Sequence, residues 1–377
     1  MTSGSRRRGI PVMVLRGGTS KGAYFLAGDL PADPARRDAV LLGVMGSPDP
    51  RQIDGIGGAH PLTSKVAVVS ASAQQDADTD VDYLFLQVQV DKPIVSAEQP
   101  CGNILAGIGP FAIERGLVEP AGPVTPVRVR MVNTGAVAVV HVPTPGGVVA
   151  YDGGTAIAGV PGTAARIVID FHDTAGSVAP ALLPSGSLVD EIDGVAVTLI
   201  DNGMPVVLMA AAELGVTGYE SPADLESMPD LLTRVETLRL HAGRLMGLGD
   251  VATATVPKMC LVAEPAHGGS LCTRMFIPHR VHASIGVLAA VSVGTAAAIP
   301  GTVAARRVRP PADPAVPAGV ARLEHPTGWY DVVIETAVAD GASGGAGIRV
   351  GRSAVVSTAR LLLDGVVFPR TAPVPAR

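Results

Sequence analysis

The chain has 377 residues, enough for two domains, because single cores seldom grow past roughly 250 to 300 residues. A net charge of −5 leaves no polycationic footprint and excludes nucleic acid as an expected partner; three cysteines are too few for a disulfide framework or a Cys-rich zinc site, and a reducing cytoplasm is the natural setting. Apolar residues make up 47% but aromatic ones only 3%, so cores of small aliphatic side chains are expected, and 45 Gly with 32 Pro predict many turns between short strands.

Met1 to Gly9 carries three arginines with no apolar signal core behind them and reads as a lead-in. Ile10 to Leu15 is a short aliphatic strand running into Arg16-Gly17-Gly18-Thr19-Ser20-Lys21-Gly22, a tight loop that offers N–H groups, hydroxyls and a cation to an anion. It lacks the Walker A order, so it is no nucleotide loop. A strand resumes at Ala23 to Ala27, and Pro34 to Met45 reads as an amphipathic helix. A second glycine-rich loop, Asp54 to Lys65, ends on a lysine at the mouth of the strand Val66 to Ser70. Val81 to Val90 is the next strand.

Gln99-Pro100-Cys101-Gly102-Asn103 opens an apolar run whose Ile104, Leu105, Ile108, Phe111 and Ile113 recur at helical spacing, so a helix is predicted from Cys101 to about Leu117. That places a thiol at a helix N-terminus, where unpaired N–H groups and the helix dipole favour a thiolate and also a bound carboxylate. The alternative is a small buried apolar residue, as most free cysteines are. Val127 to Met131, Ala136 to Val142 and Arg166 to Phe171 are further strands, with Asn133-Thr134-Gly135 as a turn.

A Pro-, Gly- and Ser-rich stretch, Ala175 to Ser187, is the expected boundary. Beyond it the plan repeats: strand Val195 to Ile200, loop Asp201 to Pro205, strand Val206 to Met209, helix Leu225 to Met246, strand Lys258 to Ala263, and an apolar helix from Ala283 or Ser284 through Ala298. The apolar stretch from Ile285 to Ile299 is too short to span a bilayer, which needs ~18 residues or more. Arg306 to Pro317 is a Pro-rich loop, Tyr330 to Ala339 a strand, Gly341 to Gly347 a glycine-rich tip, and a last strand and short helix reach Asp364. Strands set around one apolar helix in each half define an α+β class and point to an internal duplication.

Several segments occur in order: RGGTSKG at Arg16–Gly22, HPLTSKVAVV at His60–Val69, PCGN at Pro100–Asn103, NTG at Asn133–Gly135, DNGMPVV at Asp201–Val207, PK at Pro257–Lys258, RMF-PH at Arg274–His279, IPGT at Ile299–Thr302 and HPTG at His325–Gly328. Together they resemble the PrpF family of 2-methylaconitate cis-trans isomerases, which includes 4-oxalomesaconate tautomerase and 3-methylitaconate isomerase. The resemblance implies the diaminopimelate-epimerase-like fold. In that fold two pseudo-symmetric lobes each wrap a curved sheet around a central helix, and the active site lies between the lobes. The expected lobes are residues 10–180, with 352–377 returning to them, and 185–350.

It also implies a cofactor-independent isomerase that moves a C=C bond in a small unsaturated di- or tricarboxylate. Lys65 and Cys101 match the family's lysine and cysteine and are the proton-transfer pair, with acid and base unassigned. Gly102 and Asn103 offer N–H groups to a substrate carboxylate, Thr19 and Ser20 offer hydroxyls, and Met204, Arg274, His279, Arg280 and His325 complete the expected substrate contacts. No metal is expected, since His279 and His282 have no carboxylate or cysteine at ligand spacing except Cys272. No membrane partner is expected, and a homodimer is left open.

A racemase of the same fold needs a second thiol at the start of the second central helix. Here that region reads His282-Ala283-Ser284-Ile285-Gly286, while Cys260 lies in a strand and Cys272 before a turn. The remaining alternative is a non-catalytic binder of polycarboxylates.

Overall fold

The computed structural model describes residues 9–72, 78–98, 101–314, 316–338 and 347–370. The N-terminal arginines, Gln99-Pro100 and all but the last residue of the glycine-rich tip lie outside the described residues. Contacts divide the chain into two units, Met1–Ile169 with Ser357–Arg377, and Asp170–Val356.

In the first unit, α1 (Pro34–Met45) has the predicted bounds because its ends are marked: Asp33 accepts from the Arg36 N–H, and Gly46 closes the helix at φ 82°. Strands β1 (Ile10–Gly17), β2 (Ser20–Leu26), β3 (Lys65–Ala71), β4 (Val81–Val88), β6 (Val124–Met131) and β7 (Val137–Pro143) pair in that order, and the two-residue β5 (Val95–Ser96) pairs with β4. Residues alternate between the faces of the sheet. One face, with Val12, Ala23, Phe25, Val66, Val68 and Leu86, packs on Leu41, Val44 and Met45 of α1. The other presents Tyr24, Ala67, Tyr83 and Phe85 towards α2 (Gly102–Leu105) and α3 (Ile108–Glu114); the Tyr24 and Phe111 rings lie 5.8 Å apart.

The single helix predicted from Cys101 is thus two, broken at Ala106-Gly107. Pro110 is the cause, because its ring has no N–H to give the Ala106 carbonyl and would collide with it. The same device splits the predicted Leu225 to Met246 helix of the second unit into α4 (Pro222–Glu226) and α5 (Pro229–Leu245), where Pro229 stands four residues after Leu225.

Strand β8 (Arg166–Phe171) leads from the first unit into the second, where β9 (Asp190–Ile192), β10 (Val195–Asp201), β11 (Pro205–Ala210), β12 (Lys258–Ala263), β13 (Leu271–Phe276), β14 (Val320–His325) and β15 (Gly328–Val338) pair in order. One face, with Val197, Leu199, Met209, Met259 and Leu261, packs on Leu231, Val235 and Leu238 of α5. The central helix α6 (Val287–Ala298) lies against β10, β11, β14 and β15 and is buried nearly all round, which suits its sequence of Val, Ala, Gly, Ser and Thr.

Three details differ from the sequence reading. Helix α6 starts at Val287 rather than near Ala283, because the backbone before it is held elsewhere: the Ser284 N–H donates to His282 Nδ1, and the Ala283 carbonyl accepts from Thr327 Oγ1. Strands β13 and β14 were not anticipated, so Cys272 sits within a strand and the HPTG segment is the β14–β15 turn. The final helix is absent. β16 (Ile348–Val367) is one strand, pairing through Ile348–Val355 with β15 and through Ala359–Val367 with β1, so each half finds a ladder that a helix would forfeit.

Candidate active site

In the first unit the hairpin that carries Thr19 and Ser20 packs on the first turn of α2, where Cys101, Gly102 and Asn103 stand. The RGGTSKG segment is the β1–β2 hairpin, with Gly17 opposite Ser20. Its glycines are required by close approach: a Cβ on Gly17 would stand 2.4 Å from the Asn103 carbonyl oxygen, and one on Gly18 would stand 2.3 Å from Asn103 Oδ1. Asn103 Nδ2 in turn donates to Thr19 Oγ1 at 3.1 Å. Ser20 is fully buried, and among the described residues its hydroxyl has no hydrogen-bond partner.

Cys101 is the N-cap of α2 and is half-buried; its carbonyl accepts from the Leu105 N–H at 3.1 Å and from the Tyr83 hydroxyl at 3.3 Å. The Gly102 and Asn103 N–H groups fall in the first turn, where no intrahelical acceptor exists. Burial first, and then the nearby Cys101, push the Tyr24 and Tyr83 phenols well above their usual values, so both stay protonated donors. Tyr24 gives its proton to the Ile104 carbonyl at 2.8 Å.

Lys65 is the first residue of β3, paired laterally with Gly22 and Gln87. It is buried, with Nζ 2.8 Å from Gln87 Oε1 and 5.0 Å from the centre of the Phe85 ring, and among the described residues it has no carboxylate partner. The glycine-rich loop before it wraps around Gln52, which accepts from the Ala59 N–H and the Ser64 hydroxyl and donates to Ser47 Oγ. The NTG segment also finds its use here: Asn133 accepts from the Phe85 N–H at 2.9 Å and donates to the Phe85 carbonyl at 3.0 Å, pinning the strand that carries the ring. None of Gln52, Gln87 and Asn133 was assigned a role from sequence. For Gln87 a signal existed, since it follows Tyr83 and Phe85 at a spacing of two as the polar member of an inward-facing row.

In the second unit, Arg274 and His325 border a cavity of about 410 Å³ together with Tyr219, His267, Glu324 and Trp329. Arg274 is buried; it donates through Nε to the Glu220 carbonyl at 2.8 Å, lies over the Tyr219 ring, and has no carboxylate partner among the described residues. Arg322, at the same cavity, is spent on Asp331 and Asp313. Glu324 takes hydrogen bonds from the Tyr219 hydroxyl and from the N–H groups of Ala266, His267 and Gly269; against the upward push of burial these hold its carboxyl below the usual range. His325 is lowered to about 4, by burial first, opposed by a backbone hydrogen bond with Trp329 and aided by His282 and Arg274, so its ring is neutral at neutral pH. Its Nε2 lies 3.1 Å from Ser284 Oγ.

Met204 lies beside α6, its carbonyl accepting from Ser292 Oγ at 2.7 Å. His279 and Arg280 are not with Arg274. Both are exposed and face α4 and α5, paired with Glu236 at 3.7 Å and Glu226 at 2.8 Å. His282, unassigned from sequence, is lowered by burial and by Lys258. Among the described residues, no three His, Cys, Asp or Glu side chains gather to hold a metal ion.

The structure of a methylitaconate Δ-isomerase aligns with 99% of this chain and 100% of its own length, with a TM-score of 0.85 at 32% identity. The fold is therefore the diaminopimelate-epimerase-like one, and the chain is an isomerase. The family model for PrpF protein matches residues 7–370. A (4E)-oxalomesaconate Δ-isomerase from Novosphingobium sp. (strain KA1) is 58% identical over 95% of this chain and 97% of its own. A 4-oxalomesaconate tautomerase from Pseudomonas putida is 55% identical over 95% of each chain. The chain belongs to the PrpF family.

Proposed function

We propose that this isomerase carries out a cofactor-independent allylic proton transfer in an unsaturated tricarboxylate of the 4-oxalomesaconate type, with Lys65 and Cys101 as the proton-transfer pair. The substrate class rests on the two relatives that are 58% and 55% identical. The chemistry rests on one observation: a buried lysine with no carboxylate partner among the described residues is laterally paired with Gly22, and Gly22 lies against Ile104 of α2, the helix that Cys101 caps.

One group takes a proton from a carbon next to the conjugated system, the electron pair spreads into the unsaturated carboxylate, and a proton returns at the far end. An amide oxygen and an aromatic face are contacts that suit an ammonium, so Lys65 is assigned the donor role and the holding of the developing negative charge. Cys101, at a helix N-terminus, is assigned the acceptor role as thiolate. The Gly102 and Asn103 N–H groups with the Thr19 and Ser20 hydroxyls hold a carboxylate. Arg274 and His325 are assigned further substrate contacts and Met204 an apolar one; His279 and Arg280, engaged by glutamates, receive no role. Epimerisation would need a thiol before α6, where Ser284, Ile285 and Gly286 stand; Cys260 and Cys272 are buried in β12 and β13.

Purified protein incubated in D2O with 4-oxalomesaconate, and separately with aconitate-type acids, tests this by NMR. Deuterium entering an allylic position of the first is the expected result. Binding without exchange in either acid would end the proposed allylic proton transfer on this substrate class.

A further inference from the structure

We propose that Gln87 is a positioning residue for proton transfer at Lys65, its amide acting as a fixed bracket for the ammonium. This rests on the assignment of Lys65 to proton transfer. The amide Nε2 lies 3.1 Å from the Pro61 carbonyl oxygen, 3.1 Å from that of Ser64 and 3.2 Å from that of Val88. Turning the amide over would set its oxygen against three carbonyl oxygens and its NH2 against Nζ, so these surroundings allow one orientation, with Oε1 towards Lys65 at 2.8 Å.

A lysine side chain is a flexible four-carbon stem ending in a compact charge, and nothing in its own geometry fixes where Nζ sits. Here the restraint comes from outside. Gln87 is the lateral partner of Lys65 in the β3–β4 ladder, and the carbonyls that lock it belong to the segment leading into Lys65 and to its own strand. Phe85, two residues earlier on the same face, supplies the ring at 5.0 Å, and Asn133 pins the Phe85 backbone. The lysine, its bracket and its ring therefore move as one piece of sheet. Gln87 is half-buried and borders an open groove of about 420 Å³, which leaves room for side chains of its own length.

The test compares Gln87→Met, Gln87→Glu, Lys65→Met and the double variant Lys65→Met/Gln87→Met in the D2O assay and in steady-state turnover of 4-oxalomesaconate. Gln87→Met keeps the length but removes the acceptor; kcat is expected to fall about 100-fold, the scale of a 1 Å misplacement, with KM within about threefold because Gln87 is given no substrate contact. In the Lys65→Met background the same change has no further effect, since the bracket has nothing left to hold. Gln87→Glu keeps the shape and sets a carboxylate beside the ammonium, so the limb of the pH–rate profile that depends on Lys65 moves to higher pH; a merely structural role would not move it. This variant carries the test should Gln87→Met fail to fold. Wild-type kcat in Gln87→Met, or an unmoved limb in Gln87→Glu, overturns the proposal while Lys65→Met remains inactive. An active Lys65→Met would instead overturn the assignment on which the proposal rests.

Discussion

Replacing Gly17 by Ala tests whether the β1–β2 hairpin is seated on α2 as described. The added Cβ would stand 2.4 Å from the Asn103 carbonyl oxygen and 3.1 Å from the Tyr24 hydroxyl, where 3.0 Å is about the closest approach a Cβ tolerates, so hairpin and helix must separate by about 0.6 Å. Neither side yields easily, because the obstructing atom is backbone. Overpacking of this kind costs about 1–3 kcal/mol, or roughly 1–4 °C in Tm for 377 residues that unfold together. The effect on rate should be larger than the effect on stability. Asn103 stands two residues after Cys101 and donates to Thr19, so the separation displaces the capping cysteine and the hydroxyl loop together. A displacement approaching 1 Å at reacting groups costs about 100-fold in kcat. Thermal unfolding followed by circular dichroism, with kcat measured well below Tm, separates the two effects. Native Tm together with native kcat would refute the packing argument.

Cys101→Ala and Lys65→Ala should each reduce turnover by several orders of magnitude while the circular dichroism spectrum is kept; near-native activity in either removes that residue from the chemistry. Arg239 is fully buried on α5, bridging Glu236 through Nε and Nη2 and donating through Nη1 to the carbonyls of Val251, Ala254 and Val256. Arg239→Met strands these partners and should cost about 3–5 kcal/mol in urea unfolding. His325 has a folded-state value of about 4 against an ordinary 6.5, so the unfolded chain binds the extra proton between those values. Its contribution is intact above about pH 6.5 and is lost as pH falls towards 4, by about 3 kcal/mol at most. The difference in stability between wild type and His325→Gln across that range reads this directly, and a flat difference would contradict the burial assigned to the ring.

Much of the local structure was legible in the chain. Helix α1 and strands β8 and β12 fall on the predicted residues, and the PCGN segment places Cys101 at a helix start. Where the reading failed, the signal was present but outweighed. Pro110 and Pro229 break apolar periodicities that run continuously in the sequence, and β13 and β14 carry Arg, Glu and His among their apolar residues, which blurs the strand pattern.

The sequence by itself determined the chemical inventory: a lysine after a glycine-rich loop, a cysteine after a proline, and motif order enough to name a family. It could do so because caps, turns and glycines act over a few residues. Only the tertiary structure decided which of those groups are free to act. Among the described residues Arg274 has no carboxylate partner and gives its Nε to the Glu220 carbonyl, while Arg280, six positions further along the chain, meets Glu226. Lys65 Nζ finds its hydrogen-bond partner in Gln87, 22 residues away in sequence but directly opposite in the β3–β4 ladder. Electrostatic pairing and strand register depend on what lies across space, and no local pattern encodes that.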